Sequence, residues 1–329
     1  MAELKVGTIV RRQKLSEILA TFCLEPERGS RFPAYEAGQY IALRRENCRL
    51  TRPVEDKDGR RRYVLDLDAS GNPKLGPVTH SYTIASAPFE SRQQGHLEFY
   101  VVLEQDQYGT LGRLSRSLLE VEHPANDRLT YVNRIKGKFT LARTASGIQN
   151  VVMVGTGTGL APFVSMIKQL HFEAGQGQGP GAARYTLVHA NRTYEELAYH
   201  RELVAIEASR RFDFAYVASV SRPASRDLDD PGLGRGRANN VLRHILGMPL
   251  KEEQTIQELA ASGKDVSRAK LALDRVTAPA LPKHLSRSEL GKRLEPSRTV
   301  ILTCGNPSLM EDIHYIADVN QIKFEKEDW

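Results

Sequence analysis

The chain has 329 residues, room for about two domains, and 40% hydrophobic with 26% charged residues excludes wholesale disorder. Lys and Arg outnumber Asp and Glu by 46 to 40, a net charge of +6, which favours an acidic partner or a phosphate-bearing ligand and does not require nucleic acid. Three cysteines, Cys23, Cys48 and Cys304, exclude both a disulfide framework and the four thiolates of an iron–sulfur cluster.

Redox chemistry would therefore come from an organic cofactor. No apolar run approaches the roughly 20 residues of a membrane helix, and Met1–Lys5 carries no apolar signal region. The expectation is a cytoplasmic protein with no metal site, no membrane span and no nucleic-acid partner.

In chain order, short alternating or apolar runs come first, at 38–43, 63–67, 97–103 and 128–132. Their spacing predicts a small antiparallel β-barrel or sandwich. The pattern changes near Gln149. Residues 150–154 read as a buried strand ending at a glycine loop, and Phe163, Met166, Ile167 and Leu170 then fall on one helical face. Strands at 185–190, 214–220 and 299–303 alternate with helical stretches at 195–208 and after 303, where Leu309, Ile313 and Ile316 share a face. Such alternation predicts a parallel sheet in an α/β domain. The expected domains are 1–147 and 148–329. Two segments look inserted: 44–79, rich in arginine, and 243–297, polar and weakly helical at 252–261.

Gly155-Thr156-Gly157-Thr158-Gly159 joins a strand to a helix that has Pro162 in its first turn. Glycines there let backbone N–H groups approach a phosphate closely. Leu160 stands where the usual dinucleotide fingerprint has its third glycine, and no Gly-Lys-Ser/Thr follows, so this is not a P-loop. In NAD-binding units an acidic residue ends the second strand. Here the corresponding stretches read His189-Ala190-Asn191-Arg192 and Ser219-Val220-Ser221-Arg222, with Arg235 and Arg237 following. Guanidinium groups near strand ends suit a 2′-phosphate, so NADPH is expected over NADH.

These motifs together resemble the ferredoxin–NADP reductase (flavodoxin reductase) family, in its bacterial form. Gly38-Gln39-Tyr40 looks like its first flavin-domain strand, His80-Ser81-Tyr82-Thr83 like its flavin motif, and Gly112-Arg113-Leu114-Ser115 like its pyrophosphate turn. Gly155 to Pro162 is similar to its nicotinamide-side loop and Cys304-Gly305-Asn306-Pro307 to its C-G-N-P turn, and Trp329 ends the sequence as an aromatic residue. The resemblance implies FAD in the barrel, held by His80, Ser81, Tyr82, Thr83, the turn from Gly112 to Ser115, Thr158 and Trp329. It implies NADP(H) on the sheet, at Gly155, Thr156, Gly157, Gly159, Arg192, Ser221, Arg222, Arg235, Arg237, Cys304 and Gly305. Thr83, Cys304, Glu327 and Trp329 would then be the catalytic set. His80 departs from the family pattern, which has arginine there to face the pyrophosphate; Arg113 and the arginine-rich insert are the candidates to compensate, with loosely held FAD or FMN as the alternative and FAD favoured because the Gly112–Ser115 turn calls for a pyrophosphate.

The function expected on this basis is electron transfer between NADPH and an acidic one-electron carrier, a ferredoxin or flavodoxin, through FAD. Two alternatives stand beside it. One is a reductase component serving an oxygenase or other partner enzyme directly; the other is a non-enzymatic regulatory or binding subunit that keeps the fold, for which His80 speaks and against which the Cys304 turn and Trp329 speak.

Overall fold

The computed structural model describes residues 3–122 and 124–327, and it divides into two units, 1–138 and 139–328. Each has its own hydrophobic cluster, as independently cored domains require.

The first unit contains strands β1 (Leu4–Lys14), β2 (Leu19–Pro26), β3 (Tyr40–Arg49), β4 (Thr51–Glu55), β5 (Arg61–Leu65), β6 (Leu75–Thr83), β7 (Leu97–Val102) and β8 (Arg128–Lys136), with helices α1 (Pro88–Gln94) and α2 (Arg113–Leu119). Six strands form an antiparallel sheet in the order β6-β3-β8-β1-β2-β7. The chain leaving β6 meets the far edge: Ala85 N–H donates to the Glu98 carbonyl at 2.8 Å, and Glu98 N–H donates to Ser86 Oγ at 3.0 Å. Those bonds occupy edge groups that an open sheet would leave unpaired. Inward residues Leu24, Ile41, Leu43, Leu97, Phe99 and Tyr131 are fully buried, each contributing roughly 1.5–3 kcal/mol.

The second unit contains β9 (Asn150–Thr156), β10 (Arg184–Asn191), β11 (Phe214–Val220), β12 (Gly234–Arg235), β13 (Thr299–Cys304) and β14 (Lys323–Lys326). Its helices are α3 (Leu141–Thr144), α4 (Ala161–Gly175), α5 (His200–Ser209), α6 (Ala238–Leu246), α7 (Lys251–Ala261), α8 (Ser267–Leu273), α9 (Arg287–Lys292) and α10 (Pro307–Val319). All pairings are parallel, in the order β12-β11-β10-β9-β13-β14. The four central strands, β11, β10, β9 and β13, are buried on both faces, as parallel sheets with helical crossovers demand. The order runs one way from β9 to β12 and resumes on the other side of β9 with β13, so a topological switch point lies between β9 and β13. Crevices outside the carboxyl ends of strands at such points are where open α/β sheets bind ligands.

Several expectations shift. The units part at 138/139, not 147/148, because Phe139 is buried and packs edge-on against Phe163 of α4. Strand 63–67 is not a barrel strand; β4 and β5 form a separate two-stranded hairpin. β3 runs to Arg49 and β6 starts at Leu75, so the first insert is shorter than 44–79. The helix expected at 195–208 starts only at His200, after a 3₁₀ turn at Tyr194–Glu196 and a left-handed Tyr199 (φ +60°).

The second insert is firmly tied down. Fully buried Arg243 makes two hydrogen bonds to Asp312 of α10, at 2.6 and 3.0 Å, and reaches Gln254 of α7 at 2.8 Å. Asn239 donates to the same carboxylate at 2.8 Å. Further on, Ala280 exchanges both backbone hydrogen bonds with Arg235 and covers the β12 edge. No helix among the described residues is long and apolar enough to cross a membrane.

Candidate functional site

At the switch point β9 ends at Gly155-Thr156, and residues Gly157–Leu160 make a 3₁₀ turn into α4. Gly157 has φ +53°, a left-handed conformation that glycine takes without penalty. Its N–H donates to Asn191 Oδ1 at 3.2 Å, which fixes the loop to the end of β10. Gly159 is required for a different reason. A Cβ there would stand 2.1 Å from the Cys304 carbonyl oxygen and 2.6 Å from Gly305 Cα. The glycine loop and the turn after β13 therefore lie backbone against backbone.

That turn follows from its sequence. Asn306 caps α10, its Oδ1 accepting from Ser308 and Leu309 N–H at 3.0 and 3.3 Å, and Pro307 occupies the first turn. Cys304 pairs in register with Gly155. Its thiol donates to Glu327 Oε2 at 3.2 Å, with both side chains buried. The Glu327 backbone N–H is bonded to the Thr303 carbonyl at 3.1 Å, which places the carboxylate. Two residues 23 positions apart in sequence thus form one thiol–carboxylate pair at the mouth of the sheet. Trp329 lies outside the described residues.

The arginines divide into two groups. Arg192 is held by buried Glu196, which accepts from its backbone N–H and from both Nε and Nη2. Arg237 donates to Glu252 at 3.0 Å. Their charges are already compensated, which the sequence reading did not foresee. Arg222 and Arg235 form no ion pair among the described residues. Ser221 lies between: its N–H donates to the Asn191 carbonyl, and its own carbonyl accepts from Thr277 Oγ1 at 2.7 Å. Asn191 and Glu196 went unnoticed in the sequence; the four-residue spacing of Arg192 and Glu196 was the available signal.

In the first unit the flavin-like motif ends β6. Tyr40 stands opposite Thr83, Ile41 opposite Tyr82, Ala42 opposite Ser81 and Leu43 opposite His80. Tyr82 packs against the core, and burial pushes its phenol up. His80 and Ser81 are exposed. The Thr83 hydroxyl is buried and has no hydrogen-bond partner among the described residues. An orphaned buried hydroxyl costs about 1–3 kcal/mol, so a bound group is a natural candidate to satisfy it. The Gly112–Ser115 turn departs from expectation. Ser115 is buried, and its hydroxyl donates to the Gly112 carbonyl at 3.3 Å and accepts from Glu104 N–H at 3.2 Å. It holds the turn together, while Arg113 is exposed at the start of α2.

Residues 153–257 match the oxidoreductase NAD-binding domain family. A comparison with curated protein sequences finds no match. Among solved structures, a ferredoxin–NADP+ reductase from Neisseria gonorrhoeae, with bound FAD and NADP, is 20% identical over 99% of both chains, with a TM-score of 0.57. The cytochrome b5 reductase domain of Ulva prolifera nitrate reductase is 15% identical over 97% of this chain and 92% of that one, with a TM-score of 0.54. A cytochrome P450 reductase from Amycolatopsis is 16% identical over 100% of this chain and 71% of that one, with a TM-score of 0.55. An antiparallel six-stranded sheet followed by a parallel one is the two-domain fold that these reductases share, and within the second unit residues 153–257 carry the oxidoreductase NAD-binding domain. Over nearly its whole length the chain shares the fold of a ferredoxin–NADP+ reductase.

Proposed function

We propose that the chain is a flavin-dependent reductase that draws electrons from NADPH and delivers them singly to a protein acceptor. The observation that carries this reading is the convergence of the glycine loop, the Cys304 thiol and the Glu327 carboxylate at the switch point of the parallel sheet. When bound, FAD would accept a hydride and release its electrons one at a time. The chain's own residues position and shield.

For the nucleotide, the N-terminal end of α4 and the loop at Thr156 and Thr158 offer backbone N–H groups to phosphate. Among the described residues Arg222 and Arg235, at the ends of β11 and β12, form no ion pair and would meet a 2′-phosphate, while Gly305 lies against Thr156 of the glycine loop. Cys304 lies buried beneath the turn at Gly305, where the nicotinamide end would approach, and Glu327 accepts its thiol hydrogen. For the flavin, the residues fit in part. Thr83 offers an unsatisfied hydroxyl and Tyr82 an aromatic wall. Pyrophosphate contacts would fall to Arg113 and to the backbone at Gly112 and Leu114, because Ser115 is committed elsewhere. Trp329 and His80 remain expected contacts.

The acceptor of this reading is an acidic ferredoxin or flavodoxin. The test is anaerobic titration of the purified protein with NADPH and NADH, followed by absorbance at the flavin bands, with the heat-released flavin identified. Bleaching by NADPH at concentrations at least tenfold below those needed with NADH supports the assignment of Arg222 and Arg235. A colourless protein that releases no flavin refutes the reading.

A further inference from the structure

The polar segment 243–297 has no part in the function proposed above, yet one stretch of it lies on the strand ends that carry Arg222 and Arg235. Residues 277–283 form a strap along the outer edge of β12. Ala280 and Arg235 exchange both backbone hydrogen bonds, at 2.8 and 3.0 Å, in an antiparallel bridge. Lys283 N–H donates to the Pro231 carbonyl at 2.8 Å, and Thr277 Oγ1 donates to the Ser221 carbonyl at 2.7 Å. The strap is thus bonded to the residue before Arg222 and to Arg235 itself.

Its approach is backbone against backbone. A Cβ at Gly234 would stand 2.6 Å from the Ala280 carbonyl oxygen, and one at Gly236, where φ is +107°, 3.1 Å from Pro279 Cα. The glycines on either side of Arg235 therefore admit the strap closer than side chains would allow. Without it, β12 is two residues paired on one side only, Ser219 with Gly234 and Val220 with Arg235, too short a strand to hold its own conformation. The strap is anchored in turn. Leu281 and Leu285 pack on the core of the second unit, and upstream in the same segment Glu252 accepts from Arg237 at 3.0 Å and from Asn240 at 2.9 Å. One segment therefore neutralises Arg237 and fixes the backbone at Arg222 and Arg235, which form no ion pair among the described residues.

We propose that Thr277 is a positioning residue for recognition of a nucleotide 2′-phosphate, acting with the strap it begins through Arg222 and Arg235. The inference rests on the assignment of those two arginines above. The physical reason is preorganisation. Bidentate contact between guanidinium and phosphate depends on geometry, and a backbone already held in place loses less freedom when the ligand arrives. A strap that only covered a sheet edge would matter equally to every nucleotide. One that positions the arginines matters only where the 2′-phosphate is present.

The experiment is isothermal titration of the intact protein with 2′-phospho-ADP-ribose and with ADP-ribose, neither of which requires flavin or electron transfer. Wild type should bind the first at least about tenfold more tightly. Thr277→Val, which keeps the side-chain shape and removes the donor, should weaken the first about fivefold and the second less than about twofold. Thr277→Ser, which restores the hydroxyl, should recover binding to within about twofold of wild type. Thr255→Val breaks a local bond of the same segment, from Thr255 Oγ1 to the Lys251 carbonyl at 2.9 Å, and should change neither ligand. In an Arg222→Ala background Thr277→Val should cost less than about a further twofold, because the arginine it acts through is gone. Equal weakening of both ligands by Thr277→Val, with a lowered urea midpoint, would make the strap structural only and overturn the proposal. So would a full fivefold loss, or about that, in the Arg222→Ala background. A wild type that binds the two ligands alike overturns the earlier assignment of the arginines and this proposal with it, whereas a preference for the 2′-phosphate that survives Thr277→Val overturns this one alone.

Discussion

Replacing Gly159 by alanine sets a methyl group 2.1 Å from the Cys304 carbonyl oxygen, 2.4 Å from its carbon and 2.6 Å from Gly305 Cα. Carbon atoms prefer separations of about 3.5–4.0 Å, so one backbone must retreat by roughly 1 Å. Neither is free to do so. Gly155 and Cys304 end two central, directly paired strands, and Asn306 anchors the turn to α10. Overpacking costs about 1–3 kcal/mol, and the rigidity on both sides places this case at the upper end. For a unit of this size about 3 kcal/mol corresponds to a drop of roughly 6–12 °C in Tm. Gly157→Ala is the control: its Cβ meets nothing within 4 Å, so only the left-handed φ is penalised, by about 1–2 kcal/mol or roughly 2–8 °C. Calorimetric melting of both variants, with titration of 2′-phospho-ADP-ribose, makes the comparison. Gly159→Ala should also lose binding at least about tenfold, because the turn carrying Cys304 moves. A Gly159→Ala protein melting within about 2 °C of wild type, or a more damaging Gly157→Ala, would refute the backbone-contact argument.

Three further outcomes are expected. Asp312→Ala leaves buried Arg243 without its partner and should destabilise the second unit by about 3–5 kcal/mol in urea unfolding. In the wild type burial works to raise the Asp312 pKa, but hydrogen bonds from Arg243 and Asn239 and the Arg243 and Lys251 charges leave it lowered. Its stabilisation is therefore present above the unfolded carboxylate pKa and lost as pH falls below it, and the Ala variant should show a flatter acid limb. His189, fully buried beside the Tyr216 hydroxyl at 3.0 Å, has its pKa lowered from 6.5 to about 3 by burial and by His200. The folded state excludes the proton, so stability is complete above pH 6.5 and declines toward pH 3 by up to roughly 1.4 kcal/mol per pH unit; His189→Gln should flatten that slope, and an unchanged urea midpoint from pH 7 to 5 would contradict it. Thr83→Val removes the orphaned hydroxyl and should leave the flavin-free protein as stable as wild type or up to about 1 kcal/mol more so, while slowing flavin reduction by NADPH about tenfold in stopped-flow; a destabilised, kinetically normal variant would mean that the hydroxyl is structural.

Much of this molecule is written locally. The 150–154 and 299–303 runs are continuous apolar segments ended by glycine turns, and Asn306-Pro307 specifies a helix start through side-chain geometry alone, so these features follow from short-range chemistry. Contiguous motifs such as Gly155–Gly159 and Cys304–Pro307 were legible for the same reason. The early strands Leu4–Lys14 and Leu19–Pro26 did not stand out, because the first ends in an exposed polar run from Arg11 to Lys14 and its apolar positions acquire meaning only from the neighbours they face.

Other properties depend on which distant residues meet. That Arg192 belongs to Glu196, that Arg237 belongs to Glu252, and that Ser115 ties its own turn are matters of pairing. A sequence lists charges and hydroxyls without their partners. The Cys304–Glu327 contact and the Gly159–Cys304 approach likewise exist only because parallel pairing brings β9, β13 and the chain beyond β14 to one edge. Composition fixes how many charged and polar groups there are; the fold decides which of them neutralise one another and which are left to meet a ligand, because that depends on distances of a few ångströms between residues remote in sequence.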